Sequence, residues 1–327
     1  MGLGRATGGD LDDAIQILDH LRKHCVNAVE LLSMAEFDGN VGWGYGNTHH
    51  FCVESSAGGR DKYRHLNLLE AISTTIPPDL LTNSGTFTSG AAFLVEEMHV
   101  DGFRVDLTDA IHRNNKLYVD GRELGHANVY GQNFLCQWSR TLRMIKPAVI
   151  LIAEDRTGWD AITKPSTQGG LGFQAKWDLG FYHCLIGDSD YSGGWPRLFF
   201  NAGLGENDAL QFDHLSEALY NTRYYRVIVP ESRDEAGNAG GPARTIVVAV
   251  NHAPLFGPTR TVAKARYVLC YGLSLLSAAT PVFFMGEEVG AQQPYRYNNF
   301  LHRREDIIAL RDGIGRPMFH FFKDLIS

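Results

Sequence analysis

Apolar runs that end in acidic residues recur along this chain of 327 residues. Clear examples end at Asp106, at Glu154-Asp155 and at Glu287-Glu288. A short apolar run bounded by polar residues is typical of a buried β-strand. The pattern predicts six strands, over residues 27–32, 102–108, 149–155, 173–178, 224–231 and 281–287.

Amphipathic stretches separate several of these runs. Apolar residues at helical spacing predict helices over residues 10–24, 128–145 and 263–278, and a short helix over residues 91–99. Residues 61–90 give no clear element, because Pro77-Pro78 interrupts a weakly helical pattern and residues 82–90 are rich in Thr, Ser and Gly. We expect an irregular connection over that segment.

Strand, loop and helix alternate, and the acids fall at the carboxyl ends of the strands. A (β/α) barrel and a doubly wound sheet both build their active sites there. No GxGxxG or phosphate-loop pattern follows a strand, which favours the barrel. We predict one α/β domain over residues 1–327, a (β/α)8 TIM-type barrel that is incomplete and has no accessory β domains. An open barrel exposes two sheet edges, through which the chain could self-associate.

Composition narrows the class of partner. A net charge of −7 and a pI near 6.0 argue against nucleic acid or an anionic membrane, because both require a basic surface. Five scattered cysteines without CxxC spacing predict reduced thiols in a cytoplasmic protein. No apolar run is long enough to cross a membrane. The cluster His49-His50-x-Cys52 matches no common zinc pattern, so we predict neither a metal nor a cofactor.

The segment 100–111 places charge inside a run that otherwise predicts a buried strand. Because side chains alternate along a strand, Phe103, Val105 and Leu107 should lie on one face, and Arg104, Asp106 and Thr108 on the other. An arginine beside a carboxylate keeps it ionised and oriented, which suits a nucleophile. A purely structural ion pair at a strand end is the alternative.

Three acids at strand ends, Asp106, Glu154 and Asp234, can support two kinds of chemistry. Two carboxylates that flank a glycosidic bond can cleave it, whereas three could instead bind Mg²⁺ or Ca²⁺. Trp43 and Tyr45 lie in a Gly-rich loop, where aromatic rings either stack against sugars or pack the loop itself. These aromatic residues favour a carbohydrate over a metal.

Three motifs resemble the α-amylase family of glycoside hydrolases, and they follow in the family's order. DGFRVDLTDAIH resembles its nucleophile strand, LIAED its acid/base strand, and ESRDE the strand that carries its transition-state-stabilising aspartate. The resemblance implies that Asp106 is the nucleophile, Glu154 the acid/base and Asp234 the residue that holds sugar hydroxyls. Arg104 would orient Asp106. GWGY resembles the loop after the second strand, so Tyr45 would stack on the sugar beside Trp43.

Within the family, HVDGFRVDLTDAIH and DEAGN are most similar to glycogen branching enzymes and to the related trehalose-releasing hydrolases. The resemblance implies cleavage of an α-1,4-glucan with retention and transfer to a 6-hydroxyl. Two features depart from the family pattern: the Asp and Asn-His motif at the end of strand three is absent, and Arg233 replaces a histidine before the third acid. The chain also lacks a recognisable first strand, which predicts a truncated or internally deleted form. The alternatives are a trehalose- or maltose-releasing hydrolase and an inactive relative that binds glucan.

Overall fold

The computed structural model describes residues 11–32, 34–38, 47–61, 70–74, 80–113, 128–181, 216, 219, 225–229, 265, 268–290 and 306–327. The chain divides into two compact units. We call residues 27–177 and 223–225 the sheet unit, and residues 1–26, 178–222 and 226–327 the terminal unit.

The sheet unit contains a parallel sheet of five strands. In chain order, the strands of the sheet unit, including a separate antiparallel pair, are β1 (Val29–Leu31), β2 (Ala35–Phe37), β3 (Asn47–Val53), β4 (Glu70–Thr74), β5 (Gly102–Val105), β6 (Ile150–Glu154) and β7 (Ala175–Asp178). The parallel sheet has the order β1-β4-β5-β6-β7, whereas β2 and β3 form a separate antiparallel pair. Parallel neighbours bring the carboxyl ends of the strands to one edge, which fits the predicted placement of the acids.

The prediction for residues 61–90 is wrong. Strand β4 lies between β1 and β5, and helix α2 (Leu80–Glu97) begins within the same segment, where only an irregular connection was expected. Pairing with β1 on one edge and with β5 on the other overrides the weak helical pattern of residues 70–73. The polar segment 82–90 is helical because α2 packs against β3 and against the helix Val129–Ile145.

The helices with both ends described are α1 (Leu11–Lys23), α2, α3 (Thr108–Arg113), α4 (Val129–Ile145), α5 (Ile307–Asp312) and α6 (Arg316–Ile326). Short 3₁₀ turns lie at Ser55–Ala57, Asp160–Ile162, Ser166–Gln168 and Glu287–Val289. Helix α4 occupies the predicted range, and the side chain of Asn128 caps it by accepting from the Gly131 amide at 3.0 Å. None of the described helices is long and apolar enough to span a bilayer.

The core of the sheet unit packs α4 against β5 and against the segment before β7. The ring centroid of Trp138 in α4 lies 5.5 Å from that of Phe103 and 6.4 Å from that of Phe173. Leu135 and Leu142 of the same helix are fully buried. Full burial of such a side chain contributes roughly 1.5–3 kcal/mol, so these contacts hold the strand ends in register.

The terminal unit contains the parallel pair β8 (Arg226–Ile228) and β9 (Thr280–Pro281). The strand predicted over residues 281–287 is wrong in extent: β9 ends at Pro281, and Glu287 begins a 3₁₀ turn. Residues 268–275 are helical, inside the predicted helix over 263–278.

Two histidines are buried in the terminal unit: His20 in α1, and His24 directly after the helix. Nε2 of His20 lies 2.9 Å from Oε1 of Glu288, and the ring of His24 meets Phe319 edge-on at a centroid distance of 4.0 Å. Neither ring nitrogen of His24 has a hydrogen-bond partner. Burial lowers the pKa of His24 to about 4.

Candidate active site

The carboxyl ends of β5 and β6 bring two of the three predicted acids together. In the sheet register, Arg104 is opposite Ile152 and Val105 is opposite Ala153, so Asp106 follows its strand beside Glu154. Gly102 permits this close pairing, since a Cβ there would lie 2.4 Å from the carbonyl oxygen of Ile150. Both acids are largely buried.

Arg104 bridges the two acids. Its side chain is 1% exposed; Nη1 lies 2.8 Å from Oδ1 of Asp106, and Nη2 lies 2.9 Å from Oε1 of Glu154. Its Cζ atom lies over the ring of Trp177 in β7, 4.7 Å from the ring centroid. Its Nε lies 3.7 Å from Oε1 of Glu30 in β1. The guanidinium thus offers both carboxylates a buried positive charge in a fixed orientation.

The Glu154 carboxyl differs from an ordinary surface acid in its protonation. Burial raises its pKa from 4.5 to about 7; the Arg104 charge opposes this rise, whereas the charge of Asp106 and a hydrogen bond with Asp106 add to it. The Leu107 amide donates to Oε2 of Glu154 at 2.9 Å, which also lowers the pKa. At neutral pH this group exists in both forms, as a general acid that later acts as a base requires.

The segment after β5 turns earlier than predicted. Strand β5 ends at Val105, Asp106 and Leu107 form a turn, and Thr108 begins α3. Leu107 has a left-handed backbone with φ of +45°, and its side chain is 42% exposed. The placement of Leu107 and Thr108 on alternating strand faces is therefore wrong, because the backbone leaves the extended conformation after Val105.

A second buried group lies behind Glu154. Asp155 accepts hydrogen bonds from Nε2 of His112 at 2.7 Å and from both the amide and the hydroxyl of Thr157, at 2.8 and 2.5 Å. Burial alone would raise the pKa of Asp155, but the hydrogen bonds from His112 and Thr157 outweigh burial and lower the pKa. Thr108 donates to the carbonyl oxygen of Glu154 at 2.5 Å.

Four of the predicted site residues, Trp43, Tyr45, Arg233 and Asp234, lie outside the described residues. Glu30 and Trp177 both contact Arg104 but were not predicted as site residues. An acid in the short apolar strand 27–32 was the available signal for Glu30. Trp177 had a similar signal, because it ends the apolar part of a predicted strand. Among the described residues, no group of three His, Cys, Asp or Glu side chains could hold a metal ion.

Comparison with curated sequences gives relatives of two kinds, branching enzymes and a trehalohydrolase. No family model matches the chain. The chain is 28% identical over 229 residues to the 1,4-alpha-glucan branching enzyme GlgB of Methylococcus capsulatus, covering 54% of this chain and 30% of that enzyme. It is 40% identical over 98 residues to GlgB of Bacillus subtilis, covering 30% and 15%. It is 22% identical over 367 residues to the malto-oligosyltrehalose trehalohydrolase of Saccharolobus solfataricus, covering 94% and 59%. The chain thus spans between 15% and 59% of the length of these relatives.

Solved structures give the fold. A crystal structure of AmyP in complex with maltose matches with a TM-score of 0.64 and 14% identity, covering 99% of this chain and 74% of that chain. The alpha-amylase from Geobacillus thermoleovorans, complexed with acarbose, matches with a TM-score of 0.59 and 13% identity, covering 96% and 73%. The predicted fold class, an incomplete (β/α)8 barrel, is confirmed. Sequence relatives and fold both support the predicted resemblance of this chain to the α-amylase family of glycoside hydrolases.

Proposed function

We propose that this protein is a retaining α-glucan transglycosylase, which cleaves an α-1,4 link of a glycogen- or starch-like oligosaccharide and transfers the released chain to a 6-hydroxyl. Asp106 is the nucleophile and Glu154 is the acid/base. Asp234, outside the described residues, would hold sugar hydroxyls during ring distortion, while Trp43 and Tyr45 would stack on the sugar and Arg233 would contact it.

One observation carries this proposal: Arg104 joins two buried carboxyls, 2.8 Å from Asp106 and 2.9 Å from Glu154, while burial raises the pKa of Glu154 to about 7. Two acids in one site with different proton affinities support a division into nucleophile and proton donor. A structural ion pair would gain little from a carboxyl that is half protonated at neutral pH.

The separation of the carboxyls favours retention of anomeric configuration. Asp106 and Glu154 pair with the two Nη atoms of one guanidinium, at 2.8 and 2.9 Å, so the two carboxyls are neighbours. An inverting pair stands about 6.5–9.5 Å apart to admit a water between acid and base, whereas a retaining pair is about 5–5.5 Å apart. A close pair therefore suits a covalent glycosyl intermediate on one carboxylate.

The charges also support a change of role by Glu154 during the reaction. The Glu154 proton passes to the leaving oxygen as an oxygen of Asp106 bonds to the anomeric carbon. Ester formation removes the negative charge of Asp106, which is one cause of the raised pKa of Glu154. The Glu154 carboxylate then stays ionised and can accept the proton of the acceptor hydroxyl, which displaces Asp106 and restores the enzyme.

Hydrolysis is the second candidate, since the match with the trehalose-releasing enzyme covers 94% of this chain. Water instead of a sugar hydroxyl would then receive the glycosyl group, and trehalose or a maltose-type sugar would be released. The acids would keep the same roles in either reaction. The cytoplasmic location is part of the same proposal and rests on the scattered cysteines, of which Cys25, Cys52, Cys136 and Cys270 are free thiols.

Amylose tests the proposal and separates the two candidates. Purified protein is incubated with amylose, and both the iodine colour of long chains and the number of new reducing ends are followed. Transfer predicts loss of colour without matching reducing ends, and hydrolysis predicts a matching increase. Asp106→Asn should abolish either signal.

A matched control distinguishes lost chemistry from lost folding. Asp101→Asn makes the same change five positions earlier, at a half-buried acid that ion-pairs with Lys146. It should retain activity. If the folded wild-type protein changes neither the colour nor the reducing ends, then the protein is not a glucan-cleaving enzyme, and calorimetric binding of maltoheptaose would support the inactive glucan-binding relative.

A further inference from the structure

The backbone of Leu107 is held in an unfavourable conformation although its own side chain does little to hold it there. A left-handed conformation costs a non-glycine residue about 1–2 kcal/mol. With 42% of its side chain exposed, Leu107 does not offset that cost by burial. Such a conformation persists only where the surroundings determine it. The restraints on Leu107 must therefore come from hydrogen bonds of the neighbouring backbone and side chains.

These restraints converge on the segment that carries Glu154. On one side of Leu107, its amide donates to Oε2 of Glu154 at 2.9 Å. On the other side, the Thr108 hydroxyl donates to the carbonyl oxygen of Glu154 at 2.5 Å and lies 3.2 Å from Oδ2 of Asp155. The turn after β5 is thus attached to both the side chain and the backbone of the proposed acid.

Asp155 is itself anchored. His112 lies one helical turn after Thr108 on α3, and its Nε2 lies 2.7 Å from the same Oδ2 of Asp155. Because a carboxylate only accepts hydrogen bonds, Nε2 carries the proton. Thr108, His112 and Asp155 are each at most 2% exposed, so water does not compete for these bonds.

We propose that Thr108 is a positioning residue for the reaction. Its hydroxyl, held beside the Asp155 carboxylate that His112 anchors, fixes the turn so that the Leu107 amide donates to the Glu154 carboxyl. This inference rests on the proposed function for its kinetic consequence, but the geometry is testable without turnover. The Leu107 amide stabilises the carboxylate form of Glu154, so the same hydrogen bond that orients the group also limits its proton affinity.

The charged groups around Glu154 define what else can affect its titration. Among the described residues, Arg104 and Asp106 of the β5 segment face it directly, and Glu30 of β1 reaches it through Arg104. Asp155 follows it in the chain. Thr108 carries no charge, so a change at this position acts on Glu154 through geometry.

Thr108→Val tests the proposal because valine keeps the shape and removes only the hydroxyl. In protein labelled with ¹⁵N-leucine, the Leu107 amide shift should follow the ionisation of Glu154 as pH changes, and the response should vanish in Glu154→Gln. In Thr108→Val the response should weaken, with a midpoint at higher pH. Thr108→Ser, which keeps the hydroxyl, should restore the wild-type response. This readout needs no catalysis.

Kinetics supply the second readout if glucan is turned over. Misplacing a reacting group by about 1 Å can cost about 10²-fold in rate. We therefore expect Thr108→Val to lower kcat by about 10-fold or more with little change in KM, and to move the alkaline limb of the kcat profile to higher pH. The shift follows because loss of the Leu107 donor makes Glu154 a weaker acid.

Ser139→Ala is the matched control. Ser139 is also fully buried, and its hydroxyl donates to the carbonyl oxygen of Leu171 at 2.6 Å, away from the acids. It should lose a similar amount of stability without changing the Leu107 titration or the alkaline limb. If Thr108→Val and Ser139→Ala behave alike in both readouts, or if the Leu107 amide ignores Glu154 in the wild type, the positioning role is wrong. A catalytically silent wild type with the predicted Leu107 response would refute the proposed function and keep the geometry.

Discussion

Nη2 of Arg104 lies 2.9 Å from Oε1 of Glu154, yet the pKa of that carboxyl is raised to about 7. Burial therefore outweighs the nearby positive charge, helped by the negative charge of Asp106. The pair combines two opposing demands: the arginine orients the acid, and the surroundings keep a proton available to it.

Replacing Arg104 should show how much its charge opposes the effect of burial on Glu154. In Arg104→Met two buried carboxyls lose their shared cation, so we expect a loss of about 3–5 kcal/mol in the free energy of unfolding and a further rise in the pKa of Glu154. Urea titrations at pH 5 and pH 8 measure the effect, which should be larger at pH 8, where more carboxylate is ionised.

Arg143→Met is the control for Arg104→Met. Arg143 is half-buried and donates through Nη2 to the carbonyl oxygen of Gly172 at 2.7 Å. Its replacement should cost about 1 kcal/mol, with no difference between the two pH values. Equal costs for both arginines would contradict the electrostatic account of the site.

Glu154 should make folding stability fall as pH rises. Its folded pKa of about 7 exceeds the ordinary value of 4.5, so the folded chain binds more protons between these two values. Its contribution is complete below about pH 4.5 and is lost by about pH 7, a change on the order of 3 kcal/mol. Glu154→Gln should lack it, and the difference between the two unfolding curves against pH is the measurement.

His24 should act in the opposite direction. Its pKa is lowered to about 4 from 6.5, so the unfolded chain binds more protons in this window. The stabilising contribution is complete above about pH 6.5 and is lost as pH falls to about 4, again on the order of 3 kcal/mol. Chemical unfolding of His24→Leu from pH 4 to 7 should show that this dependence has gone; a wild-type slope in His24→Leu would contradict a buried neutral histidine.

Two glycines make a paired test of the sheet. A Cβ at Gly102 would lie 2.4 Å from the carbonyl oxygen of Ile150, so Gly102→Ala should push β5 from β6 and lower the free energy of unfolding by several kcal/mol. Gly85 lies inside α2 with open space around its Cβ position. Gly85→Ala should raise stability by about 0.5–1 kcal/mol. Thermal unfolding of both variants is the measurement, and similar effects would contradict the described packing.

Sequence alone predicted the elements whose local pattern agrees with their place in the fold. Helix α4 and strand β6 each carry a pattern that matches their burial, so their positions were predicted closely. Strand alternation predicted that Arg104 and Asp106 lie on one side, and the structure shows their contact, although Asp106 lies in the turn after β5.

The remaining features depend on contacts between distant segments. Strand β4 has no strong pattern of its own and exists because β1 and β5 pair with it on either side. Glu30 of β1 and Trp177 of β7 both contact Arg104 of β5, and local periodicity cannot reveal contacts between such distant strands. The left-handed turn at Leu107 was missed for the same reason, since its restraints come from the Glu154 segment.

The central claim is that Asp106 attacks the sugar and Glu154 supplies and removes protons. The most direct measurement is the intact mass of Glu154→Gln after incubation with α-maltotriosyl fluoride, followed by peptide mapping. Fluoride leaves without a proton donor, and the absent base slows breakdown of the ester, so we predict a maltotriosyl adduct on Asp106 that is missing in the Asp106→Asn, Glu154→Gln double variant. A folded Glu154→Gln protein without an adduct, or an adduct on a different residue, would contradict the account.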